Sequence, residues 1–350
     1  MDATALEARA REVLDHAAYE YYAGGADDEI TLRDNVEAWG RVRLLPRVLR
    51  DVTSVSPAID LLGSQLTAPM LVAPMAFQRM AHPEGEIAMA RASAAVGIPM
   101  VVSTMSTTTL EDIAAAVPDG ERWFQFYLHK DRDLSRRLLE RAVASGCSAV
   151  VLTVDVPVVG RRRRDEANQF GLPGHLTVAN LEESLESAGG SALSEYSDHA
   201  FEQALTPSLL EWIAGHTELP LLVKGVLHPA DAVTAVDAGA AGVIVSNHGG
   251  RQLDGAIATG DALAPVADAV AGRVPVLVDG GVRGGSDILK AMALGADAVL
   301  IGRLALWGLA VGGAGGVEGV LRELFDEFVR AMTLCGVRTV DEIDRSLLGM

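Results

Sequence analysis

The stretch "SNHGGRQLDG", Ser246 to Gly255, sets a histidine and an arginine three residues apart with two glycines between them. It follows the apolar run "AAGVIV", which reads as a buried strand, so His248 and Arg251 leave a strand end on a glycine-flexible loop. A base and a cation placed together there could serve chemistry, or they could be a turn histidine beside a solvated arginine. A second signature is "VDGGVRGGSDILKAMALGADAVLIGR", with Gly280 and Gly281 ahead of Arg283, then Gly302 ahead of Arg303. Exposed backbone N–H groups beside guanidinium forks form an anion site, which points to a phosphorylated substrate or cofactor. Tight turns with surface arginines are the alternative.

The elements that would position these residues recur along the chain. Short apolar runs alternate with amphipathic helix patterns: "PMLVAP", "IPMVVS", "WFQFY", "AVVLTVD", "PLLVK", "GVIVSN", "VPVLVDGG" and "DAVLIG". Eight continuous apolar strands separated by helices predict a parallel sheet closed into a (β/α)8 TIM barrel, with an open doubly wound sheet as the other arrangement. In such a barrel the reacting groups gather at the C-terminal strand ends. Ser103, Gln125 with Tyr127, Thr153 with Asp155, Lys224, Ser246 with His248, Asp279 and Arg303 all fall there. One polar strand end means little, but this many point to one shared polar site, with the two glycine and arginine ends after strands seven and eight as its phosphate region. The chain reads as one unit over 1–350, with an N-terminal helical segment and linker over 1–65, the barrel over 66–334 and a tail over 335–350. A long lid loop, 170–205, interrupts the rhythm after the fourth strand. The "GGAGG" run from Gly312 to Gly316 lacks the strand-turn-helix setting of a dinucleotide loop and reads as a flexible connection.

Composition narrows the classes. With 49% hydrophobic and 22% charged residues the 350-residue chain can bury a large core. A net charge of −18 argues against nucleic acid or an anionic membrane as partner. Cys147 and Cys335 have neither metal nor redox spacing, which fits a reduced, cytoplasmic chain without a structural metal. The N-terminus has the pattern of an acidic amphipathic helix, so neither export nor a membrane span is expected.

The motifs "YYAGGADDE", "APMAFQRMAHPEGE", "FQFYLHKDR", "LTVDVPVVGRR", "SNHGGRQLDG" and "VDGGVRGGSDILKAMALGADAVLIGR" follow one another over nearly the whole chain. In this order they resemble the FMN-dependent α-hydroxy acid oxidase and dehydrogenase family, which includes glycolate, lactate and mandelate oxidases. The resemblance implies that His248 is the active-site base, Asp155 its acidic partner, and Arg251 the main substrate-carboxylate clamp, assisted by Arg162 and Tyr21. Tyr127 would face the substrate oxygen, while Arg163 and Arg164 would be solvated. Around FMN, the backbone near Ala76 with Ser103, Gln125 and Thr153 would contact the ring. Lys224 would lie at its N1/O2 edge with Ser246 nearby, and Asp279 would hold the ribityl chain. Gly281, Arg283, Gly302 and Arg303 would hold the phosphate.

That set suits oxidation of a 2-hydroxy acid, in which a base takes the hydroxyl proton and the flavin takes a hydride from the same carbon. By the same resemblance Ala76 stands where oxygen-using members carry alanine, so O2 is the expected acceptor and hydrogen peroxide the product; a quinone-using dehydrogenase is the alternative. Met105 stands where glycolate-oxidising relatives carry tryptophan. With Val158 and Val159 as an apolar wall, it predicts an aryl substrate such as mandelate or 4-hydroxymandelate rather than glycolate or lactate. A homo-oligomer, tetramer or octamer, is also expected. Two other readings keep the barrel: an aldolase-like enzyme with Lys224 as Schiff-base amine, and a non-catalytic flavin-binding module.

Overall fold

Continuous Val, Leu and Ile strands have no polar face to offer water, so they pair side by side and are covered by helices outside. The computed structural model describes residues 2–181 and 199–349. Helices α1 (Ala3–Val13), α2 (His16–Ala23) and α3 (Ile30–Arg41) come first, then β1 (Arg43–Leu44) and a hairpin of β2 (Ile59–Leu61) and β3 (Ser64–Leu66). The barrel strands are β4 (Met70–Val72), β5 (Met100–Ser103), β6 (Arg122–Phe126), β7 (Val150–Thr153), β8 (Leu221–Val226), β9 (Gly242–Val245), β10 (Val276–Val278) and β11 (Ala298–Ile301). They pair in parallel in chain order, and β11 pairs back onto β4, so the sheet is a closed barrel and the open-sheet arrangement falls away. All eight apolar runs became strands.

The connecting helices are α4 (Gly85–Val96), α5 (Leu110–Ala116), α6 (Arg132–Ala144), α7 (Arg163–Ala167), α8 (Ser208–Ala214), α9 (Pro229–Asp237), α10 (Thr259–Val270), α11 (Gly285–Ala293) and α12 (Arg303–Cys335). Alternate strand residues divide the core in two. Leu71, Val101, Trp123, Val151, Leu222, Ile244, Leu277 and Leu300 form one buried cluster, against which Leu61 and Leu66 of the hairpin pack. Their neighbours, such as Val72, Val102, Phe124 and Val245, face the helices. The final strand β12 (Leu348–Gly349) pairs antiparallel with β1, fastening the tail to the linker. Of the lid loop expected over 170–205, residues 182–198 lie outside the described residues.

The glycine run at 312–316 is not a loose connection. It lies inside α12, where Gly312 and Gly313 leave helical geometry and kink it. Gly308 and Gly316 then approach so closely that a Cβ on Gly316 would sit 2.1 Å from the Gly308 carbonyl oxygen. By length and composition α12 could cross a membrane, but it packs against α1, α4 and α11 and buries Leu309, Val317, Leu321, Leu324 and Phe328 in the core. Gly316→Ala should therefore lower stability by about 3 kcal/mol. Gly315→Ala, whose Cβ meets nothing within 4 Å, should be neutral or slightly stabilising. Denaturant titration of both variants beside the parent measures the contrast.

Candidate active site

Where the barrel strands end, their last side chains line a cavity of about 990 Å³. Tyr21, Ala76, Ser103, Met105, Gln125, Tyr127, Thr153, Arg162, Lys224, His248, Arg251, Asp279, Gly281, Arg283, Gly302 and Arg303 all reach it. Three expected residues do not: Ser246, Asp155 and Val158. Ser246 is fully buried behind the wall, where its hydroxyl accepts from the Lys224 ammonium at 2.8 Å and the His248 N–H at 3.1 Å. Asp155 lies behind His248, with its Oδ1 2.9 Å from His248 Nδ1.

The floor is a chain of buried polar groups. Ser103 bonds Gln125 at 3.2 Å and Gln125 bonds Thr153 at 2.9 Å, linking three adjacent strand ends. On β8, Lys224 pairs with Asp279 at 3.1 Å. Burial opposes its charge, but Asp279 and then Asp155 outweigh burial and hold its pKa above the ordinary value. Burial likewise pushes the Asp155 carboxyl up, yet the bonded His248 and the nearby Lys224 bring it below the usual range. An ionised Asp155 only accepts, so His248 carries its proton on Nδ1 and keeps a lone pair on Nε2. Burial lowers the His248 pKa, and Asp155 only partly offsets this, so the ring is a neutral base at pH 7. Tyr127 is the opposite case: burial first, then Asp155, raise its pKa, which keeps it a phenol and a donor.

The other end of the cavity is cationic. Arg251 bonds the carbonyls of Tyr21 at 2.5 Å and Gly24 at 2.8 Å. Arg303 bonds those of Tyr22, Gly249 and Gly24, and Arg283 that of Val282. Among the described residues none of the three pairs with a carboxylate. Burial, then mutual repulsion, drops the Arg303 pKa to about 9, while burial and Arg162 drop that of Arg251 to about 10. Gly302 starts α12 without a side-chain cap, leaving helix N–H groups open to an anion. The start of α11 does not share that role, since Glu327 accepts from Gly285 N at 2.9 Å.

Several supports were not legible as site residues. Asn35 of α3 and Asn247 bond each other side chain to side chain at 2.9 and 2.8 Å, and Asn247 also accepts from Gly250 N. This pair holds the loop on which His248, Gly249 and Gly250 all take positive φ. A Cβ on Gly250 would lie 2.7 Å from the Leu32 backbone. Glu86 is wholly buried and accepts from Gln78 N, Thr107 N and the hydroxyls of Thr107 and Thr108, joining the Ala76 and Met105 loops. Gly225, with φ +107°, forms a bulge that leaves room for Asp155; an isolated glycine in a strand run was its only signal. Two expectations need correction. Arg164 is only partly solvated and pairs with Glu20 at 3.1 Å and Glu29 at 2.6 Å, whereas Arg163 is half exposed beside Asp27 and Asp28. Val158 points outward, 56% exposed, while Val156 and Val159 line the cavity.

These features test whether a flavin mononucleotide suits the cavity. Asp279 Oδ1 is buried without a partner, as is Arg162 Nε, and both belong to residues lining the cavity. An unpaired acceptor beside a buried ammonium, with uncompensated guanidinium groups and an open helix start, fits a polyol chain ending in phosphate. A closed barrel with such a cavity defines a class of barrel proteins that hold a phosphorylated ligand at the C-terminal strand ends. A family model described as FMN-dependent dehydrogenase matches residues 10–350. The chain belongs to this family, and its cofactor is FMN. It is 48% identical to an L-lactate oxidase of Nostoc sp., covering 98% of this chain and 96% of that protein. It is 46% identical to a 4-hydroxymandelate oxidase of Amycolatopsis orientalis, covering 96% and 94%. A solved structure of mandelate oxidase with (S)-4-hydroxymandelic acid superposes with TM-score 0.95 at 44% identity, covering 99% and 98%.

Lys224→Met keeps the apolar stem but leaves Asp155 and Asp279 without their buried cation. It should cost about 3 kcal/mol of folding stability, read as a lower midpoint in denaturant at pH 7.

Proposed function

We propose that the protein oxidises an L- or (S)-2-hydroxy acid of aryl type, mandelate or 4-hydroxymandelate, to the 2-oxo acid with reduction of O2 to hydrogen peroxide. The observation that carries the aryl assignment is the cavity wall: Met105, Val156, Val159, Phe170 and Phe201 face the same space as His248 and Arg251. Apolar side chains around a few convergent polar groups suit a flat ring attached to a carboxylate. The likeness to a structure holding (S)-4-hydroxymandelic acid supports this reading, as do relatives named as oxidases.

In this reading Arg251, Arg162 and Tyr21 hold the substrate carboxylate, and Tyr127 donates to the α-oxygen. His248 Nε2 takes the hydroxyl proton, and Asp155 stabilises the imidazolium that results. Ala76, Ser103, Gln125, Thr153, Lys224 and Asp279 would hold the ring and ribityl chain of the flavin, with Ser246 bracing Lys224. Gly281, Arg283, Gly302 and Arg303 would hold its phosphate. FMN, when bound, supplies the acceptor for the hydride of the α-carbon and the route of the electron pair to oxygen. The lactate oxidase relative supports a second reading with a small aliphatic substrate.

Two measurements bear on this. Comparing kcat/KM for glycolate, lactate and mandelate, with peroxide detection, should favour mandelate, and Met105→Trp should lower the mandelate value by about tenfold or more. A parent that favours glycolate, or electrons passing to a quinone but not to oxygen, counts against the proposal. The second is a pH profile. Only neutral His248 is a base, so kcat/KM should fall as pH drops, with a midpoint below the ordinary 6.5. Asp155→Asn removes the charge that favours the imidazolium, so that midpoint should move to still lower pH and the rate fall by at least about tenfold.

A further inference from the structure

Phe170 follows α7, the short helix that Arg162 opens. Its N–H bonds the Asp165 carbonyl at 2.9 Å, which folds the chain back after the helix. Its ring lies against Tyr21 of α2, with centroids 4.3 Å apart and planes 13° from parallel. Tyr22 meets the same tyrosine edge-on at 5.4 Å, and Phe77 reaches it at 5.7 Å. Arg251 completes the cluster, its guanidinium carbon 4.8 Å from the Tyr21 centroid. A cation beside an aromatic ring gains most where water is excluded, and a parallel ring is an efficient way to exclude it. Tyr21 and Arg251 are already joined through the Tyr21 carbonyl. What their own contacts do not fix is the position of Arg162, which comes from a different loop.

We propose that Phe170 is the positioning residue that sets Arg162 in register with Tyr21 and Arg251, so that all three converge on one carboxylate. This rests on reading those three residues as the substrate-carboxylate site. Phe170 reaches the site through its packing: it stacks on Tyr21, the Tyr21 carbonyl holds Arg251, and the turn of chain between Arg162 and Phe170 is short and closed by hydrogen bonds at Glu166 N and Phe170 N. Arg164, paired with Glu20 and Glu29, ties the same helix to α2 and to the residue before α3. Arg162 lies close enough to Arg251 to help lower its pKa, so two like charges are held side by side by packing, an arrangement that gains most when an anion enters between them.

The test uses the FMN-loaded enzyme and phenylacetate, a carboxylate with no hydroxyl to oxidise, titrated through the flavin absorbance, with phenylacetamide as the neutral control. Phe170→Ala should retain flavin and weaken phenylacetate about tenfold more than phenylacetamide, which loses only the apolar contact of the wall. Steady-state kinetics should show KM raised about tenfold and kcat lowered by no more than about threefold, the pattern of lost ground-state binding. Phe170→Tyr, which keeps a flat ring, should restore the parent values, and Phe170→Leu, which keeps bulk alone, should not. Equal weakening of phenylacetate and phenylacetamide, or full rescue by leucine, would show that Phe170 only packs against the ligand or the loop, and an unchanged phenylacetate affinity in Phe170→Ala also overturns the inference. Arg251→Met separates the two levels: if it leaves phenylacetate binding intact, the carboxylate site itself is misassigned and the role of Phe170 falls with it.

Discussion

The site is organised around one buried ammonium. Lys224 is taken out of water on a barrel strand, a position that only close carboxylates make tolerable, and it has Asp279 in contact and Asp155 nearby. Each carboxylate carries the influence of that charge to a different part of the cavity. Asp155 stays ionised and therefore fixes the tautomer of His248. Asp279 gives one oxygen to Lys224 and leaves the other buried without a partner. Ser246 holds the ammonium from behind and the backbone of His248 as well, so base and cation cannot drift independently.

The opposite wall obeys a different rule. Its arginines are satisfied by backbone carbonyls of the segment from Tyr21 to Gly24 and of Gly249, partners that orient a guanidinium without cancelling its charge. Carboxylate partners would have filled the role reserved for a ligand. Burial and neighbouring guanidinium groups depress the Arg251 and Arg303 pKa values, so positive charge is held there against burial. The cavity thus has a proton-handling half and an anion-handling half, each set by how its charges are compensated.

Most of this was legible from strand ends. The barrel follows from eight continuous apolar runs, because strands buried on both faces leave an unbroken signal, and polar residues just beyond such runs have few places to go except the mouth. What stayed hidden were groups whose role depends on a distant partner. Asn35 lies on an ordinary helix, and only folding brings it to Asn247, 212 positions away. Glu86 sits in an alanine-rich helix where nothing local says that its carboxylate will be buried on four backbone and hydroxyl donors. Val158 was misplaced for a related reason: alternation along a loop decides which side chain faces in, and one step puts it into solvent. The 312–316 glycines were read for flexibility, whereas Gly316 is required by close approach to the Gly308 backbone and Gly313 by its positive φ.

The Arg303 contacts carry a consequence for how the protein is made. Its guanidinium bonds the Tyr22 carbonyl 281 positions earlier in the chain, so the cationic half of the cavity joins one of the first helices to the beginning of α12. During synthesis the early segment must wait, without its partner, while all eight barrel strands and the helices between them emerge. A ribosome-bound chain short of residue 303 therefore has no complete anion site, and redox competence comes late in the birth of the molecule, after its sheet has been made.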